Sequence, residues 1–231
     1  MKMIDQLEEF VRRSFEDGIQ HSSVTIDFHN GKWISREYHN RHWTEAVNRI
    51  RLNNEVDAYC LYKIATQPDE PAAELVKYLH EEWGHEKLII NDLRESGMDE
   101  DDVYATEPFF STRLLMSYIR SSSEHDGALP NFLWNWLVEW YSDNYNPAVY
   151  ESAGKALGPD AVAGLLTHQQ IDEALDHEQT VGATVVDLVE RHGETKARNY
   201  LTRYVDLLVM YFDELAQSCS AAQAPRPVVT L

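Results

Sequence analysis

Three stretches of the 231-residue sequence place acids or histidines where an apolar core would normally lie. The first is LVKYLHEEWGHEKLIINDL, residues 75–93. Leu75, Leu79, Ile89 and Leu93 mark an apolar stripe at about 3.6 residues per turn, and Glu82, His85 and Glu86 lie on or beside it. An ionised carboxylate facing a core is costly unless it is paired or bound to a metal. Glu82-x-x-His85 sets a carboxylate and an imidazole one turn apart on one helical face, a spacing used for metal ligation in helical carboxylate proteins. A buried salt bridge on a surface helix is the plainer reading. His80 and His85 are five apart, so the HExxH arrangement of zinc proteases is absent.

The second stretch, LLTHQQIDEALDHEQTV (165–181), has His168 and Asp172 at i, i+4, with Asp176 continuing the row. His177 falls opposite His168 in a regular helix, and a π-bulge would turn it back toward Asp172. Alone, this is a common helical pair. The third is Glu139, the single charge among the ten residues of FLWNWLVEWY. It needs a metal, an N–H or an arginine as partner. Trp134, Trp136, Trp140 and Tyr141 around it read first as core. Oxygen and imidazole donors without thiolate suit iron or manganese over structural zinc. Convergence of three helices on one donor set favours a metal site.

The elements that must position these groups read as helices. Ile4, Leu7, Phe10, Val11 and Phe15 stripe residues 3–17; residues 20–35 lose the period, and Asn30-Gly31 marks a turn within a loop or short hairpin. Helices are expected over about 35–66, 72–95, 108–123, 130–143, 147–157, 160–193 and 194–217, with proline or glycine at most of the boundaries. The result is an all-α, single-domain bundle of about seven helices over residues 1–217, followed by a disordered tail, 218–231. There is no internal repeat.

The formal charge of −19, from 20 basic and 39 acidic residues, argues against nucleic acid as a partner. No stretch approaches the roughly 20 apolar residues of a membrane span, and the acidic start MKMIDQLEEF does not read as a secretory signal. Cys60 and Cys219 form neither a disulfide framework nor a CxxC pair. A cytoplasmic location is the expectation.

The chain resembles the heme-oxygenase-like di-iron oxidases and oxygenases, relatives of the TenA and PqqC fold, over about residues 38–216. In that family one helix carries L-x-x-E and a ligand His, then an H-x-x-L run ending in Gly. Leu79, Glu82 and His85, then HEKL and Leu93 to Gly97, match it. A later Glu matches Glu139, and an H-x-x-x-D-x-x-H helix matches His168 and Asp172. The last His of that motif falls on Leu175, so Asp176 or His177 must substitute, or the second iron has fewer ligands. A Glu from the preceding long helix would be Glu55, with Glu45 in reserve.

The resemblance implies two Fe(II) ions, O2 as co-substrate and oxidation of a small amino-acid-type substrate by N-oxygenation, C–C cleavage or nitrile formation. An aromatic substrate such as tryptophan suits the helix around Glu139, with Trp136, Trp140 and Arg113 as contacts and Arg51 or Arg120 as further carboxylate clamps. A homodimer is left open. The rival readings are a metal-free TenA-like hydrolase of thiamine-type pyrimidines, using a cysteine nucleophile and a Glu, and a helical interaction protein with a vestigial site.

Overall fold

A computed structural model describes residues 2–175 and 177–222, with side chains over 2–171 and 180–220. The described chain contains α1 (Met3–Gly18), α2 (Ser23–His29), α3 (Arg36–Ile64), α4 (Ala72–Glu82), α5 (Glu86–Glu95), α6 (Glu100–Ala105), α7 (Phe110–Asp126), α8 (Leu129–Leu157), α9 (Ala163–Leu175), α10 (His177–His192) and α11 (Glu194–Ala222). No strand occurs among the described residues. The bundle is all-α, as the periodicity predicts, but with about ten helices among the described residues rather than seven.

Local chemistry explains most boundaries. The Ser35 hydroxyl accepts from the Tyr38 amide at 3.1 Å and starts α3. Pro71 stands at the N-cap of α4, and Pro130 lies in the first turn of α8, where a missing N–H costs nothing. Gly127, at φ +63°, makes the turn between α7 and α8. Residues 20–35, expected as a loop or hairpin, instead hold a 3-10 turn and α2, which Ser22 caps through the Thr25 amide. α11 continues to Ala222, past the expected boundary at 217. Residues 223–231 lie outside the described residues.

Three differences bear on the site. The expected helix 72–95 is broken: Trp83 is extended (ψ 112°), Gly84 adopts φ +95°, and α4 and α5 are separate. The two helices expected over 130–157 are one. Pro147 removes one backbone bond, yet Val149, Tyr150 and Ala153 beyond it are buried, and their packing carries α8 through. The expected helix 160–193 opens as a 3-10 turn at Pro159–Val162; α9 and α10 follow on either side of Asp176, which lies outside the described residues.

α3, α8 and α11 are the long members, each of 29 residues. α3 packs against α4, α5 and α7, and α8 against α7, α10 and α11. Glu45 is fully buried and fastens α7 to α3: it accepts from the Phe109 amide (3.0 Å) and the Thr112 hydroxyl (2.7 Å) and pairs with Arg41 (2.7 Å). That role takes Glu45 away from ligand duty. Asp92 does the same for α5 and α9, accepting from the amides of Gly164 (2.7 Å) and Leu165 (2.8 Å). A Cβ at Gly164 would lie 2.2 Å from the Leu88 carbonyl oxygen, so only glycine lets α9 come this close to α5. Gly164→Ala is expected to destabilise the protein by about 1–3 kcal/mol, read as a lower urea midpoint. An unchanged midpoint would show that the backbones part without loss.

Candidate metal centre

Glu82 ends α4 and His85 opens α5, so the break at Gly84, not a shared helical face, brings their side chains together. His85 Nδ1 lies 3.1 Å from Glu82 Oε2. His168, one turn after the amides held by Asp92, enters from α9; its Nε2 is 3.9 Å from the same Glu82 oxygen. The His85 and His168 rings meet edge to face with centroids 4.5 Å apart. One donor atom from each of Glu82, His85 and His168 lies within 4.8 Å of the others, and Glu82 and His85 are buried. Among the described residues no other acid, histidine or cysteine group meets this test.

Ligands around a first-row metal sit about 2.0–2.2 Å from it, so two neighbouring donors stand roughly 3 Å apart. The observed separations need only a small inward movement. The set is one carboxylate and two imidazoles, without sulfur, which suits iron. A buried glutamate between two histidines is also chemically sensible without metal if a histidine is protonated.

Two further buried carboxylates stand close by. Glu139, 7% exposed, projects from α8 and accepts from the Tyr78 hydroxyl at 2.8 Å. Asp57 on α3 is fully buried and accepts amide protons from Asn131 (2.6 Å), Asn53 (3.0 Å) and Asn135 (3.2 Å). Burial, with a smaller push from the charge of Glu82, raises its carboxyl to about 7 against the lowering effect of the Asn131 and Asn135 amides. Burial, then Glu139, Glu82 and Asp57, push Tyr78 well above the usual phenol range, so it remains a fixed donor. Glu82, Glu139, Tyr78 and His168 border one cavity of about 110 Å³ between α3, α4, α5, α8 and α9.

Several expected site residues lie elsewhere. Glu55 is exposed on α3 and does not border the cavity, because it lies on the outer face of the helix, away from buried Val56 and Asp57. Arg113 is exposed and pairs with Glu107 at 3.0 Å. Arg51 and Arg120 are exposed and cover the rings of Tyr104 and Tyr59. Trp136 and Trp140 are buried but face away: Trp136 is close to Gly182 of α10, and Trp140 lies under Arg12 of α1. The tryptophans on the cavity are Trp43 and Trp134. Asp172, Asp176 and His177, expected to complete the ligands, fall outside the described side chains.

Sequence reasoning passed over Asp57. Its signals were an acid between the buried apolar positions Val56 and Cys60, and Asn131 and Asn135 four apart in an otherwise apolar helix.

Over residues 44–207, more than half its length, the sequence matches the family described as iron-containing redox enzymes. The chain belongs to that family. Two solved structures share the fold of this iron-containing redox enzyme. One is a domain of unknown function with a heme oxygenase-like fold from Shewanella denitrificans, 18% identical, with a TM-score of 0.76 over 100% of this chain and 99% of that one. Another is a TenA homolog from Pseudomonas syringae, 14% identical, with a TM-score of 0.68 over 92% of each chain. No curated protein matches. No helix among the described residues is long and apolar enough to cross a membrane.

Glu82→Gln and His168→Ala are each expected to weaken Fe(II) binding at least about 100-fold, since even residues supporting a ligand cost 10–100-fold. Glu55→Gln should leave affinity unchanged. Anaerobic titration measures all three; equal losses for Glu55 and Glu82 would contradict the assignment.

Proposed function

We propose that this iron-containing redox enzyme uses O2 and two Fe(II) ions to oxidise a small amino-acid-type substrate. The observation carrying the proposal is the meeting of buried Glu82 and His85, on either side of the Gly84 helix break, with part-buried His168 from α9. Under this reading they hold one iron, Glu139 is a ligand to the second, and Asp172 with Asp176 or His177 completes the pair. Ferrous iron supplies the electrons for reducing O2, which no side chain in the cavity provides.

The protein's own contributions are positional. Trp43, Ile50, Trp134, Val138 and Leu165 give the cavity apolar walls that restrict water. Glu82 and Glu139 concentrate negative charge at the cavity wall, which favours a cation there. The Tyr78 hydroxyl keeps its proton, donates to Glu139 Oε1 and so fixes that carboxylate's orientation. Asp57, with its carboxyl near 7, can hold or release a proton within the asparagine cage at working pH. One water needs about 10–15 Å³ by the same measure, so 110 Å³ admits a small organic molecule and no long chain.

The TenA-like hydrolase reading would use a cysteine nucleophile. Neither Cys60 nor Cys219 borders the cavity, and burial pushes the Cys60 thiol up to about 12. Both features weigh against it.

The test is anaerobic Fe(II) titration of the chelated protein, then exposure to O2 with an oxygen electrode. Uptake of two irons per chain, and O2 consumption that requires them and quickens with amino acids, is the expected result. Absence of specific iron uptake would overturn the reading.

A further inference from the structure

Among the described residues, Arg49 is the only lysine or arginine that borders the cavity beside the candidate metal centre. A guanidinium is charged at any working pH. Its Nη1 is buried and has no hydrogen-bond partner among the described residues, where Arg49 also joins no ion pair. Its position is nevertheless fixed. The guanidinium carbon lies 4.4 Å from the centre of the Tyr211 ring, whose hydroxyl is 2.7 Å from His42 Nδ1. Burial holds His42 well below the usual imidazole range, so it adds no second charge. A buried donor on a cation is expensive to leave unmade.

Asn53 follows one turn later on the same face of α3 and borders the same cavity. Its Nδ2 donates to Asp57 Oδ2 at 3.0 Å and to Asn135 Oδ1 at 3.2 Å. Those two acceptors set the orientation of the amide. Its Oδ1 is therefore the free end, buried and without a hydrogen-bond partner among the described residues. One edge of the cavity thus offers an unmet cationic donor and an unmet neutral acceptor about 5–6 Å apart at their Cβ atoms.

α3 and α8 run antiparallel, as the contacts of Trp43 with Tyr150 and of Asn53 with Asn135 require. That register sets Arg49 within about one turn of the level of Glu139 on α8. A ligand held at Arg49 would extend between the walls of Trp43, Ile50, Trp134 and Val138, beside Glu139 and Glu82.

We propose that the cavity binds an α-amino carboxylate, its carboxylate on Arg49 Nη1 and its nitrogen donating to Asn53 Oδ1, with an apolar side chain against the tryptophan walls. This rests on the oxidase reading for its purpose and deepens it by naming the recognition residues. A guanidinium selects a carboxylate by paired, charge-assisted hydrogen bonds. The acceptor on Asn53 distinguishes an amino acid from a simple carboxylic acid.

The test is calorimetric titration of the full chain, both metal-free and anaerobically loaded with Fe(II). The probes are the standard L-amino acids and, for each one that binds, the corresponding amine without the carboxylate. The expected result is saturable binding of one or more apolar amino acids. Binding should weaken about 10- to 100-fold in Arg49→Gln and in the decarboxylated amine, since a charge-assisted bond is lost. Arg49→Lys should recover part of the affinity, and Arg113→Gln should bind as the wild type does. Circular dichroism checks that each variant is folded. Failure of every amino acid to bind, equal binding of amine and amino acid, or a loss of iron in Arg49→Gln with unchanged amino-acid binding would each overturn the proposal. Iron uptake is read in the same samples. Uptake without amino-acid binding rejects only this inference, whereas binding without uptake rejects only the oxidase reading.

Discussion

Two backbone amides at the start of α9, held by the Asp92 carboxylate, fix where His168 can stand. The clamp works at contact distance because Gly164 lets the α9 backbone rest against the Leu88 carbonyl. α5 thus carries both the clamp and, at its own start, His85. Any shift of α9 along α5 would move His168 relative to Glu82 and His85 together. A metal site built from separate elements needs this kind of support, because ligand geometry tolerates errors of only a few tenths of an ångström. Glu45 plays the matching part on the other side, fastening α7 to α3.

Besides Glu45 and Asp92, three more carboxylates are buried among the described residues, and each has a different answer to burial. Asp57 gathers three asparagine amides and is pushed toward neutrality, to about 7. Glu139 takes the Tyr78 hydroxyl. Glu82 faces two imidazoles, an arrangement that a divalent cation would complete. The cavity's cation, Arg49, is spent on none of them. The cavity is thus bordered by the acids Glu82 and Glu139 and, among the described residues, by one guanidinium, that of Arg49 on α3.

Much of this was legible in the sequence. The all-α class followed from apolar spacing, and Glu82, His85, His168 and Glu139 stood out as acids and histidines on apolar stripes; the structure places all four in or beside one site. Their geometry was not legible. Gly84 reads as a tolerated glycine inside a helix, whereas its positive φ ends α4 and turns His85 back on Glu82. Glu55 and Asp57 are two residues apart on one helix, and only packing against Asn131 and Asn135 of α8 decides which of them is inside. Trp136 and Trp140 share a helix with Glu139 but not its face toward the cavity. Which face of an aromatic helix meets a cavity is a tertiary fact that local pattern does not contain. Arg49 was missed for the same reason, since an arginine two residues from Arg51, between Asn48 and Ile50, shows no sign in the sequence of which helix face it takes.

A metal held jointly by Glu82 and His85, on either side of the Gly84 break, and by His168 of α9 is the central proposal. The most direct measurement is anomalous diffraction at the iron edge from crystals grown anaerobically with Fe(II). A peak within bonding distance of Glu82, His85 and His168 together is the predicted result. Peaks confined to surface acids, or an ordered Glu82–His85 pair with no anomalous density between it and His168, would contradict it.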